Sequence, residues 1–307
     1  MLVKILRMFN EKKIQGLLDS IVNTEIRGAV LAASFGDEMF LGAAGNLNTN
    51  SQFFIASATK LYITALVLQL VDKNILKLSD KIEKFLSPDT LLGLHIFDGN
   101  DYSNKITVEH LLSHTSGLAD YFQSIRKSKR SLMDEILNET DQAWDFNRVI
   151  ADSKELGSVF AHSSGKAFYS DTNFQILGEI IKIVLGDSLE NAIDKNICQK
   201  MGLVKTYLYR DEHDSTPVSL NYKKKALIIP KAMVSFGADG GIVSTAPEGI
   251  KFLKGFFEGQ LFDKSHLAYI SHTWRNIFYP LKYGIGISLF RLPWYFSPFK
   301  RVPDLIG

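Results

Sequence analysis

An α+β fold is predicted for this chain, with strands near both ends and a long helical stretch between them. Three observations carry the prediction. Two apolar runs face each other across a Gly-Asp turn within residues 28–44, a long apolar helical run follows at residues 57–73, and strand-like runs return only after residue 225. Strands drawn from distant segments around a helical insertion indicate one sheet, mainly antiparallel, flanked by helices. The same pattern divides the chain: residues 1–75 and 226–307 supply two parts of an α/β unit, and residues 76–225 a mainly helical one.

Each element has a local reason. Leu2, Ile5, Leu6, Phe9, Ile14, Leu17, Leu18 and Ile21 recur at helical spacing and predict an amphipathic helix interrupted near Asn10. Lys4 and Arg7 break any apolar core of a signal peptide, and no small-residue cleavage site follows. Residues 28–35 and 38–44 read as paired strands around Gly36-Asp37. A polar loop then leads through Phe53-Phe-Ile-Ala to a helix expected from Ser57 to about Lys73. Residues 74–210 read as helices separated by Gly-, Pro- and Ser-bearing loops. Strands resume at residues 226–229, 241–244 and, as a single run, 283–290.

Composition excludes several function classes. The 307 residues are 46% hydrophobic and 22% charged, which suits a folded domain with a sizeable core. A net charge of +2 supplies no field for nucleic acid. The basic run from Arg126 to Arg130 lacks interleaved aromatic residues and is expected to be a solvated loop. Cys198 is the single cysteine, so no internal disulfide can form. The longest apolar helical run, residues 61–71, is far shorter than the roughly 20 residues of a membrane span. These features together predict a cytoplasmic protein without a transmembrane segment. No Walker-type phosphate loop is present and no cofactor is expected. His110 and His114 share zinc-ligand spacing, but Leu111 stands where a zincin needs Glu. A structural role around Thr115-Ser-Gly117 is therefore expected, and no metal.

Ser-x-x-Lys occurs four times: Ser57/Lys60, Ser124/Lys127, Ser163/Lys166 and Ser297/Lys300. Only Ser57 opens a long apolar helix. Ser163/Lys166 straddles Gly165, Ser297/Lys300 contains Pro298, and Ser124/Lys127 enters the basic run. Residues three apart share a helical face, so the Lys60 amine can reach the Ser57 hydroxyl. Backbone N–H groups of a first helical turn favour developing negative charge. Burial of the helix would lower the lysine pKa towards neutrality, where the amine accepts a proton. The residues alone also allow Ser57 to be a helix cap and Lys60 to extend to solvent.

Three further stretches stand in order after Ala56-Ser-Ala-Thr-Lys60: His110-Leu-Leu-Ser-His-Thr-Ser-Gly-Leu118, Phe168-Tyr-Ser-Asp-Thr-Asn-Phe-Gln-Ile-Leu-Gly178 and Gly237-Ala-Asp-Gly-Gly-Ile-Val-Ser-Thr-Ala-Pro-Glu248. Together they resemble the serine β-lactamase and penicillin-binding-protein-like family, which includes class C β-lactamases, D-alanyl-D-alanine carboxypeptidases and esterases. The resemblance runs from about residue 15 onward. It implies a β-lactamase/transpeptidase-like fold, with Ser57 as nucleophile, Lys60 as its proton partner and Tyr169 as general acid or base or stabiliser of the base. Asp171 stands where the family's Tyr-x-Asn motif carries asparagine. A carboxylate cannot donate to a substrate carbonyl, and beside Lys60 it would keep that lysine charged. Taken alone, Tyr169 and Asp171 also read as a buried tyrosine and a helix cap.

The family's third motif, Lys- or His-Thr/Ser-Gly, is found nowhere in the sequence, and Val302-Pro-Asp-Leu-Ile-Gly307 resembles its lead-in. The resemblance therefore implies that the C-terminal strands and closing helix are missing, along with one oxyanion donor. Loss of such a donor costs about 10²–10³ in rate. The expected function is a serine hydrolase that forms an acyl-enzyme with a small-molecule or peptide ester or amide. Asp171 and the missing signal peptide favour an esterase or D-Ala-D-Ala-type peptidase over a β-lactamase. The alternative is a truncated or degenerate non-catalytic homologue that binds a peptide or partner. Oligomeric state is left open.

Overall fold

The computed structural model describes residues 10–36, 38–138, 140–161, 164–293, 295 and 303–307. Residues 2–9 of the expected first helix, Ser163 of one look-alike pair and both Ser297 and Lys300 of another lie outside them.

Helix α1 spans Glu11–Ile21, and the Asn10 side chain caps it by accepting the Lys13 N–H at 3.0 Å. Its Leu18 packs with Phe40 and Ala44 in a small cluster of its own. Strands β1 (Gly28–Phe35) and β2 (Glu38–Gly45) form the expected hairpin, in register from Gly28 opposite Gly45 to Phe35 opposite Glu38. Gly36 turns the chain with φ +57°.

Strand β3 (Phe53–Phe54) pairs antiparallel with Ile242–Ser244, which also pairs with Tyr207–Leu208. This short ladder carries the chain from residue 54 into the nucleophile segment and sets the Gly237–Gly241 turn beside it. Helix α2 spans Thr59–Asp72, and every residue from Thr59 to Leu70 is buried. A helix apolar on nearly all faces is stable only inside a core. Here that core includes Ile176, Leu177, Ile180 and Ile181 of the helix Asp171–Leu185.

Three expectations change. Ser57 lies in a 3₁₀ turn, Ala56–Ala58, ahead of α2 and not within its first α turn. Residues 283–290 do not form one strand. Leu281–Tyr283 and Ser288–Phe290 pair antiparallel within a four-stranded ladder whose other members are Arg275–Phe278 and Leu305–Ile306. Gly286 causes the break: its φ is +73°, and a Cβ there would stand 2.4 Å from Thr64 of α2. Finally, the strands from the two ends of the chain meet where Phe53–Phe54 pairs with Ile242–Ser244, while among the described residues the β1–β2 hairpin and the four-stranded ladder hydrogen-bond as separate ladders.

The basic run also departs from expectation at one residue. Arg126 is buried and pairs with Asp152 at 2.5 Å, while Lys127 through Arg130 are exposed. The run is thus a loop anchored by an internal ion pair. Cys198 is free and buried. Among the described residues, no helix is long and apolar enough to cross a membrane.

Candidate active site

Three segments far apart in sequence converge on one ammonium group. Ala56 has φ +47°, an unfavourable region for a residue with a Cβ, which redirects the chain from β3 into the 3₁₀ turn. The ladder holds this conformation through the Ile55 N–H, which donates to the Ile242 carbonyl at 3.0 Å. Ser57 is left exposed, while Lys60, one turn on, is only 2% exposed.

The Lys60 ammonium has three protons and three oxygens around it. Nζ donates to Ser57 Oγ at 3.3 Å and to the Asp239 carbonyl at 2.6 Å, and stands 2.7 Å from Asp171 Oδ1. Tyr169 and Phe174 turn their rings towards it, with centroids at 5.2 and 5.4 Å. All four residues expected to form the site, Ser57, Lys60, Tyr169 and Asp171, are therefore brought together. The Gly237–Gly241 turn supplies the third side. A Cβ on Gly241 would lie 2.8 Å from the Gly237 nitrogen, so this tight return requires glycine.

Burial alone would push the Lys60 amine down, as the sequence suggested. Asp171, then Tyr169 and Asp239, reverse that influence, and the net displacement is upward. Of the two opposing influences raised by the sequence, the carboxylate beside Lys60 outweighs burial and holds the lysine charged in the resting site. Burial keeps the Tyr169 phenol above its ordinary value, against the opposing pull of Lys60.

Sequence reading missed a second tier of buried acids. Asp120 accepts the N–H groups of Phe122 and Gln123 at 2.8 Å each, and that of Asp171 at 3.2 Å. Asp239 Oδ2 accepts from the Tyr121 hydroxyl at 2.8 Å and from Gln175 at 3.0 Å, while its Oδ1 is buried without a partner. Burial, reinforced by Asp171, pushes Asp120 up to about 7 and Asp239 well above the carboxylate range. One signal was available. Asp239 is an acid among glycine and alanine in a recognised motif, where it reads locally as a turn residue.

These raised acids have a consequence for stability. Between about pH 4 and pH 7 the folded chain keeps on Asp120 a proton that the unfolded chain has released, and Asp239 is displaced in the same direction. Stability therefore falls as pH rises through that interval, by up to about 1.4 kcal/mol per pH unit for each such group. Asp239→Asn keeps an acceptor for Tyr121 and Gln175 but cannot ionise. Thermal melts from pH 5 to 8 should show a declining melting temperature in the parent and a flatter decline in the variant. Equal slopes would remove Asp239 from this account.

His110 and His114 do not converge. His110 Nδ1 accepts the Thr107 N–H at 3.1 Å and closes a helix cap with it, which is not the loop contact expected. His114, fully buried, accepts the Ser170 N–H at Nδ1 at 3.2 Å, with Asn173 Nδ2 3.1 Å from the same atom. Asn173 Oδ1 accepts from Ser116, so its amide nitrogen is the end facing the imidazole. Both contacts make Nδ1 an acceptor and put the ring proton on Nε2. Burial, then Lys60, push His114 well below its ordinary value. The neutral ring stacks on Tyr169 at 4.5 Å. Among the described residues, no group of three His, Cys, Asp or Glu is placed to hold a metal ion.

A serine and lysine leading an enclosed helix, a tyrosine and acid at the start of a second, and a Gly-Gly strand facing them define a β-lactamase/transpeptidase-like fold. A D-stereospecific amidohydrolase from Streptomyces sp. has this architecture, with a TM-score of 0.76 at 22% identity over 97% of this chain and 86% of that one. The chain belongs to the Beta-lactamase family, whose model matches residues 11–289. It is 28% identical to Penicillin-binding protein 4* of Bacillus subtilis over 64% of this chain and 42% of that protein. It is 27% identical to Acyltransferase mokF of Monascus pilosus over 48% and 36%, respectively. The matches thus span about two-fifths of the length of these curated relatives.

Proposed function

We propose that this chain is a serine hydrolase that forms an acyl-enzyme from an ester or amide, with Ser57 as nucleophile. The observation that carries the reading is Ser57 Oγ at 3.3 Å from a buried ammonium that is itself 2.7 Å from a carboxylate. As Oγ bonds to the substrate carbonyl carbon, Lys60 passes one proton to Asp171 and its amine takes the proton from Ser57. The carbonyl electrons move onto oxygen, where the backbone N–H of Ser57 is the donor this reading assigns. Collapse expels the alcohol or amine, which is protonated by Tyr169 or Lys60, and water then releases the acyl group by the reverse sequence. Asp171 is the terminal proton acceptor of this relay. As the carboxylate of the resting site, Asp171 cannot donate to a substrate amide when the substrate binds, which supports an esterase or D-Ala-D-Ala-type peptidase over a β-lactamase.

The test is covalent. A fluorophosphonate should add one equivalent to the protein, and peptide mass mapping should place the adduct on Ser57. An adduct on another residue, or no adduct, would overturn the assignment. The relatives fit this chemistry at the level of their names, a penicillin-binding protein and an acyltransferase.

A further inference from the structure

Ser57 and Lys60 open onto a cavity of about 950 Å³, which Asp120 and Ser124 also line. Tyr121, the next residue after Asp120, is fully buried and does not line it. Its contacts nevertheless reach both sides of the Lys60 ammonium. Asp171 Oδ1 and the Asp239 carbonyl, two of the three oxygens around that group, stand on segments far apart in the chain. The relay works only while the ammonium is shared between them at short range beside Ser57, so their separation matters.

Residues 119–121 tie down the first of these segments. The Tyr121 N–H donates to Thr172 Oγ1 at 3.1 Å, and Asp120 Oδ2 accepts the Asp171 N–H at 3.2 Å. The Ala119 carbonyl accepts from Ser170 Oγ at 3.0 Å and from Thr172 Oγ1 at 2.7 Å. Towards the second segment, the Tyr121 hydroxyl donates to Asp239 Oδ2 at 2.8 Å, and its single proton is committed there. Gln175 also donates to Asp239 Oδ2, but its amide nitrogen is shared with the Phe236 carbonyl at 2.7 Å and that of Ser235 at 3.2 Å. The Trp144 indole donates to the Tyr121 oxygen at 3.3 Å and orients the phenol.

We infer that Tyr121 is a positioning residue for acyl transfer, which touches no reacting atom but sets the separation of Asp171 from the Asp239 carbonyl and so the place of Lys60 beside Ser57. This rests on the reading of Ser57 as acyl acceptor. Without the phenol oxygen, Asp239 Oδ2 keeps the divided Gln175 donor, and the Gly237–Gly241 turn loses its hydrogen bond to residues 119–121. A displacement of about 1 Å at a catalytic group costs about 10²-fold in rate. Substrate binding does not use the relay, so the loss falls on the chemical steps.

Tyr121→Phe tests this in the whole chain, because it keeps the ring contacts with Phe122 and Trp144. Tyr209→Phe is the comparison: Tyr209 is buried in the same apolar cluster, and its hydroxyl donates to the Asp214 carbonyl at 3.0 Å, outside the relay. The readings are the final extent and second-order rate of Ser57 labelling by a fluorophosphonate, with kcat and KM for p-nitrophenyl butyrate. Tyr121→Phe should label to the same extent as the parent but about 10- to 100-fold more slowly, with kcat lowered similarly and KM within about twofold. Tyr209→Phe should stay within about twofold of the parent throughout. Asp239→Ala should slow labelling as far as Tyr121→Phe, and the double variant should be no more than about twofold slower again, because both act through one contact. An unchanged rate in Tyr121→Phe overturns the inference, as does a rise in KM at constant kcat. So does a smaller labelled fraction at the parent rate, an equal loss in Tyr209→Phe, or a double variant slowed by the product of the single losses. No labelling of the parent overturns the acyl-transfer reading, and this inference with it.

Discussion

Ser57→Ala is expected to lower p-nitrophenyl ester turnover by about 10⁴-fold or more while moving the melting temperature by no more than about 2 °C. Removal of the nucleophile in a serine hydrolase costs up to about 10⁶-fold, because no other group can form the acyl-enzyme. The small structural effect follows from exposure. Ser57 is open to the cavity, and the hydroxyl's contact with Lys60 is long, at 3.3 Å. Stopped assays with the purified variant, alongside a thermal melt, separate the two effects. Ser124 provides an internal comparison, since it also lines the cavity and also precedes a lysine by three residues. Its replacement by alanine should cost no more than about tenfold, by analogy with loss of a single binding contact. If Ser124→Ala lost turnover as deeply as Ser57→Ala, the nucleophile would have to be reassigned.

Lys60→Met is expected to destabilise the fold by about 3–5 kcal/mol and to abolish turnover. Methionine fills a similar volume, so packing is nearly conserved and the loss is electrostatic. Without the ammonium, the Asp171 carboxylate is stranded within a site that already contains Asp120 and Asp239. Breaking a buried ion pair by removing one partner costs this much because the other charge stays desolvated. Adding Asp171→Asn removes the stranded charge and should recover about half of the loss or more, the coupling expected of residues in direct contact. Urea unfolding of the two single variants and the double variant reads the coupling directly. Additive single-variant losses would show that the 2.7 Å pair contributes no net coupling.

The two outcomes depend on information of different kinds. The hairpin of β1 and β2 and the largely buried α2 were legible because each arises from local periodicity or from a turn with its own chemistry, and the four motifs because their order resembles that of the family. The split of residues 283–290 was not. Those residues alternate and branch like one strand, and the break comes from Thr64, 222 residues away along the chain, whose hydroxyl donates to the Gly286 carbonyl. Arg126 likewise looked solvated because its run is basic, whereas its partner Asp152 lies on a different helix.

At the site the division is sharper. The sequence by itself determined which serine stands before a buried helix, and that a tyrosine and an aspartate follow in the family's order. It also raised the question of whether Asp171 would keep Lys60 charged. Only the tertiary structure decided that question, by placing Asp171 and the Asp239 carbonyl within 2.7 Å of one ammonium. It also added Asp120 and Asp239 to the site. The physical reason is range. Helical and strand periodicity are read over a few residues, whereas burial and Coulomb interaction act between groups 60 to 180 positions apart that meet only when the chain is folded.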